Sequence, residues 1–262
     1  MKCYVVSLKD SQQRRHSIES QLNRLNIDFE FFDAIDVRNG LSNELKQHIN
    51  SSQCILKGGA LGCALSHMFV YKKFMQTNHS TALILEDDAI LPLNMNNQLK
   101  DICRFIDNKK NNPIVVQLTF SNIYLKTSVG RFNKGGAHSI HKAINAIGTV
   151  GYIINQAAAQ KLLNFLYPVY LQADCWGWLI EHKVVEVYAV EPPILKVYDN
   201  DSTINHDAGY NREILSSLKK QRPLMVKLRH AFWSSKIIKH LLCKVNPRQP
   251  DFEIVDFSKF DQ

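Results

Sequence analysis

Apolar positions in this chain fall into short strand-like runs, separated by longer stretches in which they recur every three or four residues. Residues 2–8 form the first run, and it gives way to Lys9-Asp10, too soon for the apolar core of a signal peptide. Asp10-Ser11 offers a cap for a helix over 12–25, with Ile18, Leu22 and Leu25 on one face. Residues 29–32 read as a second strand ending in Asp33-Ala34-Ile35-Asp36, and Asn39-Gly40 reads as a turn. Lys57-Gly58-Gly59 predicts a flexible loop before a helix over about 61–76. Further strands are expected over 81–85, 114–118, 148–154 and 184–190, the last closed by Pro192-Pro193. Asn155 caps a helix carrying Ala157, Ala158, Leu162, Leu163 and Leu166, while residues 126–142, rich in Gly, Lys, Ser and His, predict a mobile loop. Strands alternating with helices predict an α/β class with a mainly parallel sheet.

The run over 81–85 passes straight into Glu86, Asp87 and Asp88. An aliphatic strand without a polar face suits the middle of a parallel sheet, and ligands of such sheets gather at the carboxyl ends of the strands. Side chains alternate as a strand ends, so Glu86 and Asp88 are expected on one side and Asp87 on the other. Three adjacent anions repel one another. A hard divalent cation, held by one or two carboxylates plus substrate phosphate and water, offsets that repulsion. The plain alternative is a solvated acidic turn.

Composition adds a compartment and a partition. The chain has 262 residues, 45% hydrophobic and 21% charged, enough for one large domain or two small ones. Six scattered cysteines without a C-x-x-C pair argue against a zinc site or redox motif, and a disulfide framework is not needed at this size. The first run, too short for a signal peptide, leads to the expectation of a cytoplasmic protein. The net charge of +8 is concentrated: from Ile214 to Pro250 there are nine lysines and arginines and no acidic residue. That break predicts a catalytic body over 1–213 and a basic helical C-terminal segment over 214–262. Pro223 can start a helix there, with Trp233 near its boundary. Such a helix either lies peripherally on the anionic inner face of a membrane or packs on the body with a solvated basic face. Nucleic acid is not expected as a partner, because the charge sits on the tail and away from the acidic strand end.

Four segments line up: Val6-Ser7-Leu8 with Arg14-Arg15, Gly59-Ala60-Leu61-Gly62-Cys63-Ala64-Leu65-Ser66-His67, Leu85-Glu86-Asp87-Asp88, and Gly148-Thr149-Val150-Gly151-Tyr152. In this order and spacing the chain resembles glycosyltransferase family 25 over about residues 2–206. That family includes bacterial lipooligosaccharide galactosyltransferases and, more distantly, collagen galactosyltransferases. Ala60 departs from the pattern, since many relatives carry an acidic residue there. The resemblance implies a GT-A-like nucleotide-sugar-binding fold, a UDP-galactose donor, Mn²⁺ or Mg²⁺, inversion, and a lipooligosaccharide or glycolipid acceptor. Under it Asp88 binds the metal, Glu86 the metal or ribose, and Asp87 a neighbouring basic group. Val6, Ser7 and Leu8 would hold the base and ribose, with Asp36 as a further ribose contact. Arg14 or Arg15 would reach a phosphate, and Gly62, Ser66 and His67 would approach the donor. A UDP-glucose-dependent glucosyltransferase and a metal-dependent phosphohydrolase are the competing readings.

Asp174-Cys175-Trp176-Gly177-Trp178 is the candidate acceptor site. Aromatic faces stack on sugar rings, and an adjacent carboxylate can deprotonate the attacking hydroxyl. Trp176 and Trp178 therefore join Gly148, Thr149 and Tyr152 as expected substrate contacts, with Asp174 as base and Glu181 in reserve. Burial in the core is the open alternative for both tryptophans and for His67. His206 is either a late metal ligand or a solvated loop residue.

Overall fold

The computed structural model describes residues 1–109, 111–132, 138–197 and 211–246. The first half runs β1 (Lys2–Ser7), α1 (Gln12–Arg24), β2 (Glu30–Asp33), α2 (Asn43–Lys46), α3 (Gly58–Met75), β3 (Thr81–Glu86), β4 (Ala89–Ile90), α4 (Met95–Asp107) and β5 (Ile114–Gln117). Then come β6 (Ile123–Arg131), β7 (Ser139–Asn145), β8 (Gly151–Asn155), α5 (Gln156–Leu166), α6 (Trp176–Glu181), β9 (Glu186–Glu191) and β10 (Lys196–Val197). The basic segment supplies α7 (Arg212–Lys220), α8 (Leu224–Ser234), α9 (Lys236–Leu242) and β11 (Cys243–Val245). No helix among the described residues is long and apolar enough to cross a membrane.

Nine strands make one sheet in the order β11-β6-β7-β9-β5-β8-β3-β1-β2. β1, β2, β3, β5, β6 and β9 run one way, and β7, β8 and β11 run against them. The sheet is mostly parallel in direction, with β8 inserted antiparallel between β3 and β5.

Alternation along β1 and β3 builds a core on each face. Tyr4, Val6, Ala82 and Ile84 pack with Ala64, Leu65 and Met68 of α3 and Leu162 of α5. Cys3, Val5, Leu83 and Leu85 point the other way, to Ile18 and Leu22 of α1 and to Leu99, Ile102 and Ile106 of α4. Two covered faces explain why β3 is aliphatic from Ala82 to Leu85. The expected elements omitted α4, although Met95, Leu99, Ile102 and Ile106 follow helical spacing.

Three local expectations are corrected. Where a mobile loop was expected over 126–142, residues 126–131 and 139–142 belong to β6 and β7, which pair antiparallel with register shifts at three points, and 133–137 lie outside the described residues. Those irregularities erase the alternation by which a strand is recognised. The strand expected over 148–154 starts at Gly151, because Gly148, at φ +76°, takes a left-handed turn just before it. Ser11 stands at the N-cap of α1 without a side-chain bond to it, whereas Asn155 accepts from the Ala158 N–H as expected.

The basic segment is tied to the body at both ends. The charge break at 214 falls inside α7, whose Leu215 is buried in the core, and β11 extends the sheet against β6. At the other side of the sheet, α1 carries the chain from β1 to β2, and α3 brings it back across to β3 on the opposite flank of β1. The winding reverses at β1, and in open α/β sheets the carboxyl ends of the strands flanking such a reversal, here β1 and β3, form the crevice where ligands are expected.

Candidate active site

Ser7 closes β1 and Glu86 closes β3 at that crevice. Glu86 turns toward α3 and the loop before β8: Thr149 Oγ1 donates to its Oε1, His67 Nε2 lies 3.2 Å away and Cys63 Sγ 3.9 Å. Asp87 turns to β1 and α1, where Ser7 Oγ donates to Oδ2 at 2.6 Å and Arg14 Nη1 stands 3.5 Å from Oδ1. Alternation separates these two as the strand pattern implies. Asp88 differs from both. Its Oδ1 is buried with no hydrogen-bond partner among the described residues.

Electrostatics follow the partners. Burial opposes the Glu86 carboxylate, yet the His67 and Thr149 bonds and the field of Arg14 hold its pKa below the usual value. Asp88 lacks such side-chain bonds, and burial, reinforced by the charges of Glu86 and Asp87, pushes it up to about 7. A buried carboxylate oxygen without a donor is what a hard divalent cation would satisfy, so Asp88 with Glu86 fits Mn²⁺ or Mg²⁺. Cys63, His67 and Glu86 also lie close enough together to hold an ion. Burial, however, holds the Cys63 thiol well above its ordinary pKa, which suits a hydrogen-bonded support better than a site for an oxygen-seeking ion.

Several residues expected at the donor are occupied with support. Arg15 donates to Leu8 O at 3.0 Å and Ser7 O at 2.9 Å and pairs with Asp33, so it pins the end of β1 to β2. The same bonds engage the Ser7 and Leu8 carbonyls, and Val6 lies within the ladder between Phe32 and Glu86. Asp36 receives Arg38 on both oxygens, at 2.9 and 2.7 Å, which lowers its pKa to about 2. Ser66 is fully buried; its Oγ accepts from the Ile35 N–H at 2.8 Å and donates to Gly62 O at 2.6 Å.

Gly62 likewise serves packing. A Cβ there would lie 2.5 Å from Ile35 O, so the glycine admits the loop after β2 rather than a ligand. Gly62→Ala is expected to destabilise the fold by about 1–3 kcal/mol, the usual cost of overpacking. A urea titration checks it: a lower midpoint at constant slope is expected, and an unchanged midpoint would show that the loop yields freely.

His67 and Tyr152 are fully buried, so neither touches a ligand. His67 Nδ1 lies 2.7 Å from Tyr152 Oη, which lies 2.7 Å from Tyr71 Oη. The row Tyr71–Tyr152–His67–Glu86 braces the Glu86 carboxylate from inside the core. Cys63 and Tyr71 were not among the expected site residues. Their spacing from His67, one helical turn on either side along α3, was the available signal.

On the acceptor side, the Gly148 N–H donates to Asp174 Oδ2 at 3.1 Å, and Trp176 Nε1 donates to Gly148 O at 3.0 Å. Burial raises the Asp174 pKa, and the charge of Glu86 adds to it, the direction a general base working near neutrality needs. Thr149 spends its hydroxyl on Glu86. Trp176 is fully buried and meets Tyr152 edge-on. Trp178 is covered, with His182 stacked at 4.9 Å and the Arg222 guanidinium 3.9 Å from its ring. Neither indole offers a face to sugar, so the sugar-platform expectation is corrected to core packing. His206 lies outside the described residues.

Glu181 is corrected as well. It pairs with His230 at 2.6 Å and Arg222 at 3.5 Å, anchoring the basic segment. Glu181→Gln should keep turnover within about threefold while lowering the melting temperature by about 2–6 °C, since removing one charge strands the largely covered Arg222 guanidinium. A hundredfold loss of turnover at unchanged stability would restore it as the base.

Residues 1–176 match the family model described as glycosyltransferase family 25 (LPS biosynthesis protein). The chain belongs to glycosyltransferase family 25. The matched stretch contains the acidic strand end, both glycine segments and Asp174, and stops before Glu181 and the basic segment. Among family 25 relatives, the lipooligosaccharide biosynthesis protein lic2B of Haemophilus influenzae is 25% identical, covering 86% of this chain and 88% of its own. The lipooligosaccharide biosynthesis protein lex-1 of the same species is 26% identical, with 86% of each chain covered. Procollagen galactosyltransferase 1-B of Xenopus laevis is 25% identical over 62% of this chain and 28% of its own. A solved glycosyltransferase involved in glycosylation of the major capsid of PBCV-1 covers 61% of this chain and 63% of its own at 15% identity. Its TM-score is 0.28, too slight a likeness to argue from.

Proposed function

We propose that this family 25 chain is a metal-dependent inverting galactosyltransferase, moving galactose from UDP-galactose to a terminal sugar of a lipooligosaccharide core. The observation that carries it is the buried, unpartnered oxygen of Asp88 beside Glu86 at the carboxyl ends of β1 and β3. The lipooligosaccharide relatives support the acceptor, and the procollagen galactosyltransferase supports the sugar. Six free thiols suit a reducing cytoplasm.

Mn²⁺ or Mg²⁺, when held by Asp88 and Glu86, supplies Lewis-acid stabilisation of the charge on a departing diphosphate. His67 and Thr149 keep Glu86 ionised for that task, and Arg14 beside Asp87 adds a guanidinium suited to phosphate. Gly148 orients the Asp174 carboxylate through one oxygen. Asp174 takes the acceptor's hydroxyl proton while that oxygen bonds to the donor's anomeric carbon. The bond from that carbon to UDP breaks with its electrons leaving on the diphosphate, so one displacement inverts the configuration.

A donor panel with a soluble lipooligosaccharide-type acceptor tests the reading, following UDP release and the anomeric coupling of the product. UDP-galactose should work best and give a β-linked product from the α-linked donor. Preference for UDP-glucose would change the sugar, and preference for a GDP- or CMP-sugar would refute the nucleotide. UMP and galactose 1-phosphate formed from UDP-galactose and water without acceptor would favour a phosphohydrolase.

A further inference from the structure

The apolar face of α8 points away from the protein. Val226 is buried at 4% exposure, whereas Leu224 and Leu228 stand 69% and 55% exposed, with Met225 and Phe232 exposed beside them. At roughly 100° per residue those four exposed positions fill a sector about 100° wide, and Val226 lies opposite. His230, next to Val226 on that inward side, is the residue that pairs with Glu181. Ile237 and Leu241 of α9, one turn apart, are exposed too. Eight of the twelve exposed large apolar side chains among the described residues fall between Leu224 and Val245. That is a concentrated patch rather than the single scattered residues of an ordinary surface.

Charge selects the occupant. Lys227 and Arg229 border the apolar sector of α8 on its two sides, by the same helical spacing. Lys220, Lys236 and Lys244 are exposed on neighbouring elements, and no carboxylate occurs from Ile214 to Pro250. A second copy laid on this face would bring like charges together. We propose that α8 and α9 form a docking surface for an anionic phospholipid bilayer. Leu224, Leu228, Phe232, Ile237 and Leu241 enter the boundary between headgroups and acyl chains, and the flanking lysines meet the lipid phosphates. Docking involves neither donor nor metal, so its test is separable from that of the activity.

Full-length protein is floated with vesicles of phosphatidylglycerol mixed into phosphatidylcholine, and with phosphatidylcholine alone. Recovery with the anionic vesicles at low salt is expected, falling at least about tenfold in roughly 0.5 M salt or with neutral vesicles. Leu228→Glu combined with Phe232→Glu should abolish flotation while leaving melting temperature and turnover on a soluble acceptor unchanged, both side chains being exposed already. Flotation kept by the double variant, equal binding to neutral vesicles, or a full-length chain that ignores anionic vesicles at low salt would overturn the proposal. Two outcomes would name another occupant. A lipid-free dimer dispersed by the double variant would give the face to a second copy. Vesicle binding that appears only after removal of 251–262 would give it to the chain's own acidic, apolar end.

Discussion

Asp88→Asn is expected to lose at least about 10³-fold in turnover and, in chelator, to melt at a higher temperature than the parent. The activity loss corresponds to roughly 4 kcal/mol of charge stabilisation at the departing diphosphate, within what a Lewis acid supplies. The stability gain has a different origin. Asp88 has a buried carboxylate oxygen that finds no donor, and it feels the charges of two other carboxylates, so neutralising it removes that repulsion. The sign with pH follows. Its pKa is about 7 in the fold against an ordinary 3.8, so the folded state binds the proton more tightly than the unfolded chain does. Stability from this group is full below about 3.8 and is lost as pH rises through 7. The melting-temperature gap between variant and parent should therefore open between roughly pH 4 and pH 7 and stay at a few degrees above it. Mn²⁺ should then raise the melting temperature of the parent and not of the variant. Full turnover of the parent in excess chelator, or equal stabilisation of both proteins by Mn²⁺, would sink the metal role of Asp88.

Asp174→Asn carries the second large effect, a loss of about 10²-fold or more in turnover with the donor KM unchanged. Asn preserves the size of the side chain and still offers an oxygen to the Gly148 N–H, so the loop before β8 keeps its shape. What disappears is a group able to accept a proton. Burial raises the Asp174 pKa, and the base works only when ionised, so parental turnover should climb with pH through that raised value and level off. The variant should lose that limb. A donor KM that rises in step with the loss of turnover would mean that Asp174 shapes the nucleotide site. Near-native turnover would place the base elsewhere.

The neighbourhood of these two aspartates divides what the chain's order of residues determined from what folding decided. An unbroken aliphatic run ending in Glu86-Asp87-Asp88, the alternation that parts Asp87 from Glu86, and Asn155 capping α5 are all local. Each depends on contacts within a few residues, or on a strand having both faces covered, and so each was legible without the fold. The basic composition past residue 214 was legible for the same reason. Its outcome was not, because the direction of an amphipathic face depends on what lies beneath it. His230 and Arg222 meet the body through Trp178 and Glu181 and Val226 is buried, so the leucine face is left outward. The same holds for Trp176, Ser66, His67 and Tyr152. Their chemistry suits a ligand, but a partner more than twenty residues away claimed each one first, through burial that ordinary sequence spacing does not record. Strand order and local pattern determined where the carboxylates gather. Only the packing of α3, α6 and α8 decided which polar and aromatic groups remained free to act there, because in a close-packed interior each hydrogen bond and each ring face has a single taker.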